Sequence, residues 1–519
     1  MMTIYQLLPR LYTNRTCQNI TGGSIVDCGC GKMNDITTDV LLRIRELGIT
    51  HVWYTGVLRH ATKTDYSAYG IPRQNADIVK GEAGSPYAIT DYYDVDPDLA
   101  TSIPDRMQEW EALISRTHQC GMKVVMDFVP NHVAREYRSV CLPEGARDMD
   151  DENFYLIDGE INIGSYHERP ARATGNDVFH TSPSTNDWYE TVKLNYEHHD
   201  TWEKMVAILM FWASKGVDAF RCDMAEMVTT AFWTYAIGKV KAQYPQLLFI
   251  AEVYNPRLYR DYIRSGFDYL YDKVGMYDCL RDVTTHRRPA RDITWQWQAT
   301  DDISGHMLYF LENHDEQRIA SDFFVGGAAH KALPAAMVSI LLQSNPFMIY
   351  MGQELGEPGM DVEGFSGCDG RTTIFDYWTV GSLCRNYENR LTADEQKLRD
   401  SYTLLLHIAT EEQSISQGRF FDLMYVNGYS ESFDDNRLYA FIRKSGKDTI
   451  LVVVNFADED LPCKVNIPQH AFDYLQMEKG TYQAVDLITS EAATLSLSTD
   501  SPVETIVPAR SGRVYKFAL

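Results

Sequence analysis

Alternating strand and helix patterns, repeated from residue 3 to about residue 410, constrain the fold of this chain more than any other feature. Short apolar runs alternate with longer segments whose apolar residues recur at helical spacing. In chain order, the predicted strands are TIYQLLP, ITHVWYTGV, KVVMDFV, VDAFRCD, LLFIAEV, HMLYFLEN and PFMIYMGQE. Repeated strand–helix units predict a parallel sheet covered by helices. Because the number of units approaches the eight of a closed barrel, we predict an α/β protein with a (β/α)8 TIM barrel.

Two stretches of the chain depart from this alternation. Residues 133–195 form a long polar segment rich in Asp, Arg and Gly, and a connection of this length is usually functional or a small inserted domain. After about residue 410, short alternating runs separated by turn residues predict an antiparallel β-sandwich. We therefore predict a catalytic barrel (1–132 and 196–410), an inserted domain after the third strand (133–195) and a C-terminal β domain (411–519).

Composition and charge exclude several classes of function. The formal net charge is −24 and no basic patch offsets it, which argues against nucleic-acid binding. No apolar run reaches the length of about 18 residues that predicts a membrane span. The first residues lack the basic and apolar regions of a signal peptide, and the ten cysteines follow no disulfide framework. We expect a cytoplasmic protein; the alternative is an exported protein whose signal peptide is missing from this sequence.

Acidic and imidazole side chains follow the ends of four predicted strands. In chain order they are His132, Asp223, Glu252, His314 and Asp315. Because the C-terminal ends of parallel barrel strands meet at one face, we expect these side chains to share a cavity. A single Asp at a strand end is more often a helix cap or part of an ion pair, but that explanation does not account for all of them. Three carboxylates with imidazoles indicate acid–base chemistry on a neutral, polyhydroxylated substrate.

The neighbours of the carboxylates suggest different roles. Arg221 precedes Asp223 by two residues, so both side chains leave the strand on the same face. A guanidinium favours the ionised form of a neighbouring carboxyl group, which suits a nucleophile. Glu252 ends an apolar strand, where loss of water favours a carboxyl group that holds a proton for a leaving group. With Asp315 as an orienting carboxylate, this set can cleave a glycoside with retention of configuration.

Four segments resemble the signature segments of the α-amylase family of glycoside hydrolases, and their order and spacing fit that family. They are DFVPNH (127–132), GVDAFRCD (216–223), IAEVY (250–254) and ENHDEQR (312–318). The resemblance implies that Asp223 is the nucleophile, Glu252 the general acid/base and Asp315 the transition-state stabiliser. The residues that it implies in sugar binding are Tyr87, which would stack on the ring being cleaved, His132, Arg221 and His314.

The chain departs from the family pattern on the leaving-group side of the nucleophile. Many α-amylases have Lys and His three and four positions after the nucleophile, where this chain has Glu226 and Met227. We expect Glu226 to contact the substrate on that side and to alter the acceptor specificity.

A second departure concerns calcium. Many calcium-dependent members have Asp where this chain has Lys193, and that Asp binds a structural calcium together with the Asn that corresponds to Asn131. An ammonium group can neutralise the same oxygens without a metal. We therefore predict no calcium at this position and no other cofactor.

These observations lead to one main hypothesis and two alternatives. The main hypothesis is a retaining α-glucosidic hydrolase that acts on starch-like α-glucans or maltooligosaccharides through a covalent glycosyl-enzyme. In the first alternative, a transglycosylase or isomerase of the same family, another sugar intercepts the covalent intermediate. The second alternative, a non-catalytic glycan-binding relative, would be expected to lack one or more of the three carboxylates, all of which are present.

Overall fold

A closed barrel of eight parallel strands forms the centre of the molecule, as predicted. The computed structural model describes residues 1–154, 161–168, 188–428 and 430–518. Spatial order around the barrel follows chain order, and the last strand pairs with the first. The strands are β1 Thr3–Leu7, β2 His51–Tyr54, β3 Lys123–Phe128, β4 Ala219–Cys222, β5 Leu248–Ala251, β6 Tyr269–Tyr271, β7 Met307–Phe310 and β8 Phe347–Tyr350. Strand β6 was not predicted, because its three residues are too few to show a pattern.

Helices cover the outside of the barrel; most of them bury one face, whereas Leu333–Leu341 is buried on all sides. They are α1 Thr38–Glu46, α2 Arg106–Gln119, α3 His199–Ser214, α4 Thr230–Gln243, α5 Tyr259–Arg264, α6 Asp278–Thr284, α7 Ile293–Ala299, α8 Leu333–Leu341 and α9 Ala393–Glu411. Helix α2 buries one face, since its buried residues Trp110, Leu113, Ile114 and Thr117 recur at helical spacing. It ends at Gln119, shortly before Gly121, whose φ of 76° suits the left-handed conformation after a helix. Among the described residues, no helix is both long and apolar enough to cross a lipid bilayer.

Alternating side chains of the strands fill the inside of the barrel. Ile4, Val125, Ala219 and Ile250 belong to this inner core, whereas the neighbouring side chains of each strand pack against the helices. Since side chains alternate along a strand, Arg221 lies on the same inner face as Ala219, two residues closer to the C-terminal end. The inner core therefore ends in polar residues at that end of the barrel.

Long connections follow β2 and β3 at the C-terminal end of the barrel. After β2, Leu58–His60 pairs antiparallel with Ile89–Val95. After β3, His132–Ala134 pairs antiparallel with Thr191–Lys193, so that His132 lies opposite Lys193. The remaining described strands of the predicted insert are Ile161–Ile163 and Tyr166–Glu168, which pair with each other. Residues 155–160 and 169–187 of that insert lie outside the described residues.

Antiparallel strands follow the barrel, as the sequence predicted. They are β9 Arg419–Asp422, β10 Leu438–Ser445, β11 Asp448–Asn455, β12 Leu461–Val465, β13 Gly480–Asp486, β14 Ala492–Leu497, β15 Val503–Val507 and β16 Ser511–Ala518. Six of them form a sheet in the order β9-β10-β11-β16-β13-β14, and β12 pairs with β15. The buried guanidinium of Arg443 donates to the carbonyl oxygens of Leu342 and Ile415 at 2.8 and 2.6 Å, which joins this sheet to the barrel.

Candidate active site

A cavity of about 480 Å³ lies at the C-terminal ends of the barrel strands. Its wall contains seven of the eight residues that the sequence assigned to catalysis or sugar binding. They are Tyr87, His132, Asp223, Glu226, Glu252, His314 and Asp315. The eighth, Arg221, is fully buried and contacts two of these residues from inside the barrel. The structure thus brings the predicted residues together, while their individual roles stay predictions.

The Arg221 guanidinium contacts three carboxyl groups. Its Nη1 donates to Asp223 Oδ1 at 2.7 Å, and its Nη2 forms an ion pair with Glu252 Oε2 at 2.9 Å. Nη1 also lies 3.5 Å from Asp127 Oδ1. Arg221 thus lies beside Asp223, and the same cation is also shared with Glu252.

Burial strongly affects the protonation of these groups. Burial raises the pKa of Asp223; Arg221 opposes this effect, and the nearby Glu252 carboxylate adds to it. Burial also raises the pKa of Asp127 to about 7, although Arg221 again opposes the shift. The loss of water and the charge of Arg221 thus act in opposite directions on the protonation of the Asp223 and Asp127 carboxyl groups.

Glu252 has polar partners rather than the apolar surroundings that the strand before it suggested. Its Oε2 accepts a hydrogen bond from the main-chain N–H of Met224 at 2.7 Å, and its Oε1 accepts one from the hydroxyl of Tyr254 at 2.7 Å. Met224 follows the predicted nucleophile directly and has a φ of 43°, in the left-handed region that non-glycine residues seldom adopt. These contacts fix the Glu252 carboxyl group beside Asp223.

His314 connects the floor of the cavity to its wall. Gln6 Nε2 lies 2.8 Å from His314 Nδ1, and the Tyr87 hydroxyl lies 2.7 Å from His314 Nε2. Burial, together with the charge of Arg221, lowers the pKa of His314 to about 3, so the ring is neutral. Because the Gln6 amide donates to Nδ1, the single ring proton is on Nε2, which also lies 3.2 Å from Asp315 Oδ2. The Asp315 side chain is 43% exposed and remains open to a substrate.

The neutral state of His314 predicts a pH-dependent contribution to stability. Below about pH 6.5 the unfolded chain gains a proton at this position that the native chain does not take up until about pH 3. This contribution is therefore complete above pH 6.5 and is lost as the pH falls toward 3. Between about pH 6 and pH 4, we expect His314→Gln to reduce the slope of the unfolding free energy by up to about 1.4 kcal/mol per pH unit.

Urea denaturation at several pH values measures this slope. The control is His330→Gln, because His330 is exposed on the surface. Equal slopes for wild type and His314→Gln would contradict the assigned neutral state.

His132 and Glu226 contact different parts of the cavity wall. The His132 ring lies 5.1 Å from the ring of Trp188. Glu226 Oε2 accepts hydrogen bonds from the main-chain N–H groups of Tyr254 and Asn255, both at 3.0 Å. Since the Tyr254 hydroxyl donates to Glu252, Glu226 lies on the side of the predicted acid.

Several residues of the site were not predicted from the sequence. Asp127 lies in the first signature segment, and its two-residue spacing from the inward-facing Val125 could have revealed it. Trp188 and Glu190 lie near the end of the insert (133–195), and Lys80 lies in the long connection after β2, where no pattern indicates position. These residues come to the cavity only through the tertiary fold.

Comparison with known proteins agrees with this fold. The family described as "Alpha amylase, catalytic domain" matches residues 6–263. α-Amylase 3 of Dictyoglomus thermophilum is 24% identical over 360 residues, which cover 64% of this chain and 68% of that protein. α-Amylase MalA of Haloarcula japonica is 25% identical over 442 residues, which cover 84% of this chain and 54% of that protein. The structure of the noncanonic maltogenic α-amylase AmyB of Thermotoga neapolitana is similar in fold, with a TM-score of 0.70, 22% identity and coverage of 100% and 99% of the two chains.

The parallel barrel with three carboxyl groups at its strand ends defines an enzyme that acts on O-glycosyl bonds. Over residues 6–263, the chain belongs to the α-amylase family of glycoside hydrolases. Retention of the anomeric configuration is general to this family.

Proposed function

We propose that this enzyme hydrolyses the α-glucosidic bonds of starch-like α-glucans or maltooligosaccharides through a covalent glycosyl-enzyme. The observation that carries the proposal is the position of Arg221 between Asp223 and Glu252. It holds two carboxyl groups side by side at the cavity, where one can attack the sugar and the other can move a proton.

The mechanism assigns one step to each carboxyl group. A carboxylate oxygen of Asp223 attacks the anomeric carbon while the Glu252 carboxyl group protonates the departing glycosidic oxygen. Glu252, now ionised, removes a proton from water, and the resulting hydroxide displaces Asp223 from the anomeric carbon. Asp315 and His314 would bind hydroxyl groups of this sugar and hold it more tightly as the ring flattens in the transition state.

The names of the relatives support this substrate class. Besides the α-amylases, they include Neopullulanase 2 of Thermoactinomyces vulgaris at 22% identity and the oligo-1,6-glucosidase of Heyndrickxia coagulans at 23% identity. The cavity itself supports a neutral ligand, because its wall combines rings such as Tyr87 and Trp188 with hydrogen-bonding groups.

Product analysis on soluble starch, maltotriose, pullulan and isomaltose tests the proposal. We expect reducing sugar to be released from starch or maltotriose, with only products shorter than the substrate. No release from any of these α-glucosides would contradict the proposed function. Products longer than maltotriose would favour transglycosylation. We keep this reaction as the second candidate because Glu226 contacts the loop of Tyr254.

We further propose that the enzyme has no structural calcium at the position of Asn131 and Lys193. Asn131 is fully buried, and its Oδ1 has no hydrogen-bond partner among the residues that the structure describes. Lys193 pairs with His132, and His132 is the residue that follows Asn131. Calcium takes about six to eight oxygen ligands, several of them anionic, and a segment that supplies the Asn131 amide oxygen and Lys193 instead of Asp does not fit that requirement.

Treatment with a chelator is therefore expected to leave the thermal unfolding midpoint and the starch activity unchanged. Lys193→Asp provides the comparison, because it restores the carboxylate of the calcium-dependent members. For that variant we expect the midpoint to rise with millimolar calcium, since a ligand that binds only the native state stabilises it. Loss of wild-type activity on chelation, with recovery on adding calcium, would show that the metal is needed.

A further inference from the structure

Lys80 and Glu190 form a buried ion pair in the wall of the active-site cavity. Lys80 Nζ lies 3.1 Å from Glu190 Oε1, and each side chain is only 5% exposed. Both residues line the cavity, yet the mechanism above uses neither. Charged side chains are seldom buried to this extent without a specific reason, because the loss of water costs several kcal/mol for each ion.

Three connections meet to hold this pair in place. Lys80 precedes Gly81, whose φ of 64° and close approach to the Phe375 carbonyl leave no room for a side chain. The main-chain N–H of Ala83 donates to the same carbonyl at 2.9 Å, which joins the connection after β2 to the one after β8. Glu190 is held from the insert, where its carbonyl accepts from the N–H of Arg135 at 3.0 Å. The pair is thus a fixed part of the cavity wall.

The hydrogen-bonding capacity of the pair is not exhausted. Glu190 Oε2 is buried and has no hydrogen-bond partner among the described residues. Lys80 Nζ carries three N–H bonds, and it lies 5.5 to 6.0 Å from the ring centres of Tyr189, Phe365 and Phe375. A buried carboxylate oxygen without a donor normally has a ligand or water as its partner. A ligand at this position would therefore present a hydroxyl group to Glu190.

The pair lies on the His132 side of the cavity. Trp188, two residues before Glu190, packs its ring against that of His132. Lys80, Glu190 and His132 all line the same cavity. Glu226, in contrast, contacts the loop of Tyr254, beside the predicted acid Glu252. A chain of sugars that places its leaving group near Glu252 would extend its other end toward Lys80 and Glu190.

We propose that the Lys80–Glu190 pair binds the sugar that precedes the one being cleaved, on the non-reducing side. Glu190 Oε2 accepts a hydrogen bond from one hydroxyl group of this sugar, and Lys80 Nζ donates to the neighbouring oxygen. Neutral sugars with adjacent hydroxyl groups satisfy both partners of an ion pair at once. The inference rests on the proposed function, and it makes the enzyme selective for substrates with at least two sugars before the cleaved bond.

Two activated substrates test this site, because they share a leaving group and differ by one sugar. They are α-glucosyl fluoride and α-maltosyl fluoride, and released fluoride measures both rates. We expect Glu190→Gln and Lys80→Met to lower kcat/KM for α-maltosyl fluoride by about 10–100-fold, the loss typical of a hydrogen bond to a charged group. For α-glucosyl fluoride, which does not reach the pair, kcat/KM should stay within about twofold of wild type, as for sites that bind independently.

A surface pair of the same residue types provides the matched control. Lys63 Nζ lies 2.8 Å from Glu82 Oε1, with both side chains partly exposed. Glu82→Gln should leave kcat/KM for both fluorides unchanged. Should Glu190→Gln not fold, Glu190→Asp keeps the charge and withdraws the carboxylate by one methylene group, and a loss confined to α-maltosyl fluoride is again expected.

The outcomes separate this inference from the function on which it rests. Equal losses on both fluorides, or no loss on either, would overturn the inference while leaving the proposed function intact. If the wild-type enzyme released fluoride from neither substrate, both proposals would fall. A loss confined to α-maltosyl fluoride supports the binding site.

Discussion

Replacing Asp223 by Asn is expected to lower kcat for maltotriose by at least about 10⁴-fold, as for other residues that form the covalent bond with substrate. The amide cannot attack the anomeric carbon, whereas it preserves the shape of the side chain and its contact with Arg221. Because Asn carries no charge, the repulsion between two buried carboxylates also disappears. We therefore expect the thermal unfolding midpoint to stay the same or to rise.

A chemical rescue distinguishes a lost nucleophile from a damaged site. In Asp223→Ala, the removed carboxylate leaves room for azide, which would attack α-glucosyl fluoride from the same face. One inversion then gives β-glucosyl azide and releases fluoride. Asp127→Ala is the comparison, because Asp127 is also buried beside Arg221 but does not line the cavity. Near-normal turnover of Asp223→Asn, or azide rescue of Asp127→Ala alone, would contradict the assignment.

Much of the barrel could be predicted from sequence because its signals are local. Seven of the eight strands are apolar runs that lie between segments with helical spacing. Each of these runs can therefore be recognised from its own residues. Strand β6, Tyr269–Tyr271, begins soon after α5 ends at Arg264 and pairs with its neighbours through only two residues on each side. Its place in the barrel is fixed by those neighbours rather than by its own sequence.

The contact of Arg221 with both Asp223 and Glu252 could not be predicted in the same way. Sequence spacing placed Arg221 beside Asp223, but the register of β4 and β5 sets Arg221 opposite Ile250. Two residues beyond that point, Asp223 and Glu252 follow on the same inner face, so one guanidinium reaches both. Register between strands is a property of the tertiary structure, and no pattern within either strand reports it.

The position of Lys80 and Glu190 illustrates the same limit for the cavity wall. Lys80 precedes Glu190 by 110 positions in the numbering, and each lies in an irregular connection. Their contact depends on the close approach of Gly81 to Phe375, which involves a third connection. Catalytic residues at strand ends are predictable because the barrel fixes them, whereas residues that select the substrate come from loops that the barrel does not fix.

Replacing Glu252 by Ala is expected to have an effect that depends on the leaving group. Hydrolysis of maltotriose should fall by about 10²–10⁴-fold, the usual contribution of a positioned proton donor. Fluoride leaves without protonation, so the first step with α-glucosyl fluoride should be far less affected, and the glycosyl-enzyme should accumulate because no base activates water. Added azide needs no base and would release this intermediate as α-glucosyl azide, after two inversions.

The configuration of the azide product therefore identifies each carboxyl group independently of any rate. Asp223→Ala should give the β product and Glu252→Ala the α product from the same substrate. Tyr254→Phe is the control for Glu252, since it removes only the hydroxyl that donates to Oε1 at 2.7 Å and leaves both carboxyl groups in place. If Glu252→Ala lost its activity equally on maltotriose and α-glucosyl fluoride, and azide restored neither, Glu252 would not be the acid, and the shared contact with Arg221 would have a structural role instead.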